Sequence, residues 1–94
     1  MRKLVLTQKF KRSFRKLVLR NSHLQTRIEY ILQQMQDDIF LPQLSTHTLK
    51  GELSGLKACS CGYDYRIIFS LEIDSNTKEE VIVLMDIGTH DEVY

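Results

Sequence analysis

Acidic residues are missing from the first twenty positions of this chain, and cysteine, proline and glycine are scarce throughout, at two, one and four. The two cysteines, Cys59 and Cys61, stand as Cys-x-Cys. On a strand such residues point to one face, a poor geometry for a mutual disulfide. There is no second cysteine pair to complete a zinc site, and the three histidines are scattered. Reduced packing thiols in a reducing compartment are expected, with no metal and no cofactor. Long apolar runs are also lacking; Val81–Met85 is typical of what there is, so no segment can span a bilayer. Met1-Arg2-Lys3 precedes only three apolar residues, too few for a signal-peptide core. A soluble, cytoplasmic protein without a membrane partner is expected. No linker, repeat or low-complexity stretch interrupts the chain, and 94 residues make a single domain, 1–94. A domain this small holds one thin core and one shallow site.

What is present is unevenly charged. The first twenty residues hold Arg2, Lys3, Lys9, Lys11, Arg12, Arg15, Lys16 and Arg20, eight of the thirteen basic residues, while all twelve acids lie beyond them. The molecule is therefore strongly dipolar, although its formal net charge is +1. Such a basic segment attracts a polyanion or an acidic protein tail, or else is a solvated helix face. An acid-free start also mimics an organelle transit peptide, but its apolar positions are needed to complete so small a core.

Periodicity predicts the elements. Lys3–Leu6 reads as a strand. Thr7 can cap a helix to about Arg20, with Phe10, Phe14, Leu17 and Val18 on one stripe. Ser22 and Gln25 form a capping box for a second helix to about Gln36, carrying Leu24, Ile28, Ile31, Leu32 and Met35. The two-residue break makes an antiparallel helical hairpin. A loop over 37–45 keeps Ile39, Phe40, Leu41 and Leu44 near the core. Strands follow at Leu56–Cys61, Tyr65–Ile73 and Val81–Ile87, with a turn at Gly62-Tyr63-Asp64 and a hairpin loop from Asp74. The fold class is α+β: an N-terminal strand, the helical hairpin, then a mostly antiparallel sheet of three to four strands with the helices on one face.

Strand alternation suggests a site. If Val81, Val83, Met85 and Ile87 pack on the helices, Asp86 and His90 point to the open face. Tyr65, Ile67 and Phe69 would face the helices, and Arg66 the open side. Arg66 offers a planar fork for phosphate and His90 a proton shuttle near neutral pH. Together they fit phosphodiester chemistry or simple anion binding.

Three stretches carry a resemblance: His47-Thr48-Leu49-Lys50-Gly51-Glu52-Leu53-Ser54-Gly55-Leu56, Asp64-Tyr65-Arg66-Ile67-Ile68-Phe69, and Ile87-Gly88-Thr89-His90-Asp91-Glu92-Val93-Tyr94. With the basic first helix they resemble the RelE/ParE superfamily of bacterial toxins, in its YafQ-like branch. The resemblance implies a RelE-like fold and a ribosome-dependent, metal-independent mRNA endoribonuclease that is held inactive by a cognate antitoxin. Its partners would be that antitoxin, mRNA on the ribosome and ribosomal RNA, with operator DNA reached only through the antitoxin. His90 would be a general acid/base, His47 a second one, and Arg66 the phosphate ligand. Tyr94 would position a base, and Asp64 would orient a histidine or the substrate. Lys57, with Lys9, Lys11, Arg12, Arg15 and Lys16, would bind RNA or the ribosome.

The sequence departs from the pattern at three places. Lys57 alone is basic on the strand before Arg66, Ser60 stands near the place of a further histidine, and Asp86 stands where the branch has an arginine. Two other readings are a ParE-like toxin that inhibits DNA gyrase without catalysis, and an inactive antitoxin-binding module.

Overall fold

A computed structural model describes residues 2–62 and 64–94. Met1, and Tyr63 in the expected turn, lie outside the described residues. The chain runs β1 (Lys3–Leu6), α1 (Gln8–Val18), α2 (Ser22–Asp37), β2 (His47–Thr48), β3 (Lys57–Cys61), β4 (Tyr65–Ile73), β5 (Glu80–Thr89) and α3 (His90–Val93). Single 3-10 turns occupy Pro42–Leu44 and Gly51–Leu53.

Local chemistry sets the helix ends. The Thr7 hydroxyl accepts the Phe10 N–H at 3.2 Å and starts α1. Arg15 and Lys16 sit in its last turn, where the helix dipole favours cations. Arg20 takes a left-handed φ of 64° and reverses the chain. The cap of α2 is Asn21, whose side-chain oxygen accepts from the Leu24 N–H at 3.1 Å. This corrects the expected Ser22 cap: the amide one residue earlier reaches the free N–H first.

The sheet order is β1-β5-β4-β3-β2, in which the N-terminal strand joins the four that follow the helices. β1 joins β5 in parallel, and the other neighbours are antiparallel. α1 and α2 cover one face. Phe10, Leu24, Ile28, Ile31, Met35, Ile39 and Leu44 meet Cys59, Cys61, Ile67, Phe69, Ile82, Leu84 and Ile87 in one core. Phe40 was expected near the core but is 64% exposed, because its neighbour Ile39 takes the inward place. Both cysteines are free and buried. Burial pushes the Cys59 thiol up to about 12 and the Cys61 thiol to about 11, so both stay protonated and pack. Phe10, fully buried and stacked on Phe14, anchors α1. Phe10→Ala is expected to lower stability by about 3–5 kcal/mol, read as a lower urea midpoint at unchanged slope.

The inward set on β5 differs from the alternation expected. Ile68 pairs with Asp86 but Phe69 with Leu84, so Met85 is an extra residue in a bulge. A bulge shifts the period by one. Ile82 and Leu84 therefore face the helices before it and Ile87 after it, while Val83 and Met85 are only half-buried. Val81 is buried outside the helix-facing cluster.

Candidate active site

The register lines up two rows of side chains on the sheet face away from α1 and α2. His47 pairs with Ala58, Ala58 with Ile68, and in the next row Ser60 pairs with Arg66 and Arg66 with Gly88. Directly paired residues share a face, so His47 and Arg66 look out from the same side. β2 is only two residues long, yet it carries His47 into the sheet's edge.

α3 supplies the rest. Thr89 and Glu92 form a capping box: the Glu92 carboxylate accepts the Thr89 N–H at 2.9 Å, and the Thr89 hydroxyl accepts the Glu92 N–H at 3.4 Å. This turn folds the chain back over Gly88, where an added Cβ would lie 3.1 Å from Val93 Cγ1 and 3.2 Å from Glu92 Oε1. His90 thus reaches the open face from a helix, not by strand alternation as expected. Its ring meets Tyr94 edge-to-face, with centroids 4.4 Å apart. The Tyr94 hydroxyl in turn lies 3.5 Å from His47 Nε2.

Protonation follows from the partners. His47 Nδ1 lies 3.1 Å from the Ser45 carbonyl. A carbonyl only accepts, so Nδ1 carries the hydrogen and donates there, and Nε2 is the ring nitrogen turned to Tyr94. Burial raises the Tyr94 hydroxyl above its ordinary pKa; the Arg66 charge opposes this and Cys59 adds to it. Tyr94 is therefore a neutral donor near neutral pH, within the field of Arg66. The Arg66 guanidinium also donates to the Tyr65 carbonyl at 2.8 Å. His90 is open to solvent, its side chain 64% exposed, with Asp91 3.5 Å from Nδ1.

Four of the five expected catalytic residues, His47, Arg66, His90 and Tyr94, thus gather on one open face. Asp64 is exposed in the turn between β3 and β4, and among the described residues it is joined to none of the four by a hydrogen bond or ion pair. Lys57 alternates with Ala58 onto the helix-facing side and donates to Thr48 at 3.2 Å. Lys9, Lys11, Arg12, Arg15 and Lys16 are exposed on α1. Asp86 was expected on the open face. It instead accepts from Ser13 at 2.7 Å and lies 3.5 Å from Lys9, so the hydroxyl and ammonium groups of α1 claim its carboxylate.

Gly88 and Glu92 were not singled out from the sequence, although Thr89-x-x-Glu92 is a legible helix start. The two hydrogen bonds from Thr89 hold the Glu92 carboxyl below its usual range. A depressed carboxylate contributes stability above its unfolded pKa and loses it as pH falls through the folded value. α3 is therefore expected to loosen only below about pH 4, seen as loss of the His90–Tyr94 ring contact by NMR. Glu92→Gln should make that contact independent of pH in this range.

The sequence matches, over residues 2–94, the profile of the family described as "Bacterial toxin of type II toxin-antitoxin system, YafQ". A search of curated proteins returns no match. Among solved structures the chain is similar to YafQ from E. coli BL21(DE3), at 16% identity and a TM-score of 0.78, covering 100% of this chain and 99% of that one. It is similar to the toxin of the E. coli DinJ-YafQ toxin-antitoxin complex, at 17% identity and a TM-score of 0.74, covering 99% and 97%. A copper-bound mutant toxin from Helicobacter pylori is 25% identical, with a TM-score of 0.73 and full coverage of both chains.

Proposed function

Because this chain belongs to the YafQ family of bacterial type II toxins, we propose that it is a ribosome-dependent endoribonuclease that cuts mRNA without a metal and is neutralised by a cognate antitoxin. The observation that carries this reading is the gathering of His47, Tyr94 and His90 on the open face that also presents Arg66.

RNA carries its own nucleophile, the 2′-hydroxyl. His47 Nε2, with no hydrogen of its own, takes the proton of that hydroxyl. The 2′-oxygen attacks the adjacent phosphorus, and the bond from phosphorus to the 5′-oxygen breaks. His90 delivers a proton to that leaving oxygen, giving a 2′,3′-cyclic phosphate and a free 5′-hydroxyl. Arg66 neutralises charge growing on the phosphoryl oxygens. Tyr94, between the two imidazoles, aligns His47 and offers its ring to a base. Gyrase inhibition has no use for this cluster.

The test is purified protein with programmed ribosomes. Cut message with cyclic phosphate ends, formed in the presence of a chelator, is expected. Intact message with arrested growth would overturn the reading.

The exposed cations of α1 would dock on ribosomal RNA. The logarithm of ribosome affinity is expected to fall linearly with the logarithm of salt. Arg12→Ala and Arg15→Ala are each expected to flatten that slope by about 1, measured by sedimentation. The E. coli neighbour was solved with DinJ. By analogy an acidic or amphipathic antitoxin would wrap the sheet edge or the basic helix of this chain.

A further inference from the structure

The turn end of the helical hairpin carries a cluster without acids. His23 and Arg27 stand one turn apart on the exposed side of α2, so their side chains are neighbours. With Asn21, Leu24 and Tyr65 they line a hollow of about 230 Å³, and no carboxylate is among its walls. The Asn21 side chain is already taken, since it caps the Leu24 N–H. Arg27 is seated from below. Its Nη1 lies 2.8 Å, and its Cδ 3.2 Å, from where a Cβ on Gly62 would stand. Gly62 also takes a left-handed φ of 76°, so the turn after β3 offers bare backbone for the guanidinium to lie on. Among the described residues the ion pairs are Arg2–Glu80, Lys9–Asp86 and His90–Asp91, and none involves Arg27. Its charge is felt instead at Cys61, whose thiol burial raises and Arg27 lowers. A seated, permanently charged fork with no carboxylate on it is suited to an anion from outside.

We propose that this hollow is a second phosphate site, which holds the backbone of the message a few nucleotides from the phosphate on Arg66. The inference rests on the ribonuclease reading of the open face. Size selects a phosphate. The hollow is smaller than ligand pockets, about 300–1,000 Å³, so it suits one phosphate group rather than a whole nucleotide. Arg27 offers parallel N–H donors to two phosphoryl oxygens, and the His23 ring and the Tyr65 hydroxyl can donate to another. Position selects the message. Tyr65 and Arg66 are neighbours on β4; Tyr65 packs on the helix-facing core and Arg66 takes the open face. Tyr65 also pairs with Thr89, the residue before His90. The hollow and the reacting centre therefore stand back to back at one end of the sheet. A strand bound at Arg66 and led over that end meets Arg27 next. Held at both places, it keeps its reacting phosphate on Arg66. Such backbone contacts position a strand and read no sequence.

The experiment uses the full chain and a fluorescent 2′-O-methyl hexaribonucleotide, which has no nucleophile and stays intact, with binding read by anisotropy across a salt series. Arg27→Gln is expected to flatten the slope of log affinity against log salt by about 0.7, the share of one phosphate on a single strand. The loss should be the same for adenine and uracil sequences. A single neutral methylphosphonate linkage, moved along the strand, should at one position flatten the parent's slope equally and leave Arg27→Gln unaffected. His23→Ala should weaken binding about two- to tenfold. Arg27 is exposed, so Arg27→Gln should melt with the parent, and the linkage scan on the parent needs no variant at all. A slope indifferent to Arg27 and to every linkage would overturn the site. So would an Arg27 dependence seen only on ribosomes, which would give the hollow to ribosomal RNA. Inorganic phosphate or a polyglutamate peptide that competes as tightly as the hexanucleotide would overturn it too. The expected slopes with message left uncut on ribosomes would keep the phosphate site and remove the ribonuclease reading. Cut message with slopes indifferent to Arg27 would do the reverse.

Discussion

His90→Ala is expected to slow mRNA cleavage on the ribosome by about 10²–10⁴-fold, and His47→Ala by a smaller factor within the same range. The order follows from the two halves of the reaction. An alkoxide is a poor leaving group, and on the open face His90 is the group placed to protonate it. Removal of the 2′-hydroxyl proton is less demanding, since water can replace part of what His47 does while Tyr94 and Arg66 still hold the nucleotide. The double variant should lose less than the product of the two factors, because both act on one transition state. Single-turnover rates at saturating ribosomes measure this, and relief of growth arrest should follow the same order. Ribosome affinity at fixed salt should change little, since neither histidine lies on the basic helix. Two alanine variants as toxic as the parent would show that this toxin acts without cutting RNA.

Gly88→Val is expected to cost about 10²-fold in cleavage while the sheet keeps its stability. The backbone at Gly88 is ordinary strand, outside the left-handed set of Gly51, Gly55 and Gly62, and valine is favoured there. The new side chain meets α3 first. Even a Cβ would meet Val93 Cγ1 at 3.1 Å and Glu92 Cβ at 3.3 Å, and the two γ-carbons of valine reach further. α3 must move, and His90 and Tyr94 move with it. A displacement of about 1 Å in a reacting group costs about 10²-fold. The signature would be loss of the His90–Tyr94 ring contact with a thermal midpoint close to the parent's. Glu92→Ala, which removes half of the capping box, should have the same sign and a smaller effect.

Much of this was legible in the residue pattern, and the failures share a cause. Lys3–Leu6 and Tyr65–Ile73 were bounded correctly, because each is a regular run with clear stops. The buried stripe of α2 was visible for the same reason. Alternation failed on β5 because a bulge at Met85 adds one residue on one strand alone. Nothing in Val81–Ile87, apolar on both parities, marks where the count slips. β2 escaped notice because two residues carry no period; only its pairing with β3 makes it a strand. The site residues came from the resemblance and from Arg66 and His90 as chemical types. Their meeting depends on a reversal at Thr89 that a strand reading of the tail passed over, even though its threonine and glutamate signal it. Lys57 shows the converse: a plausible residue type near the right strand need not share its face.

The parallel union of β1 with β5 has a bearing on how the protein is born. Lys3 lies beside Val81 and Leu6 beside Leu84, so the first strand made waits for one of the last. Until β5 emerges, Phe10 has no Ile82 or Leu84 to close over it, and β4 lacks its partner on one side. Contacts this distant along the chain form slowly. A chain without β5 would leave β1 and one edge of β4 unpaired. β5 therefore closes the sheet from both sides at once, with β1 on one flank and β4 on the other.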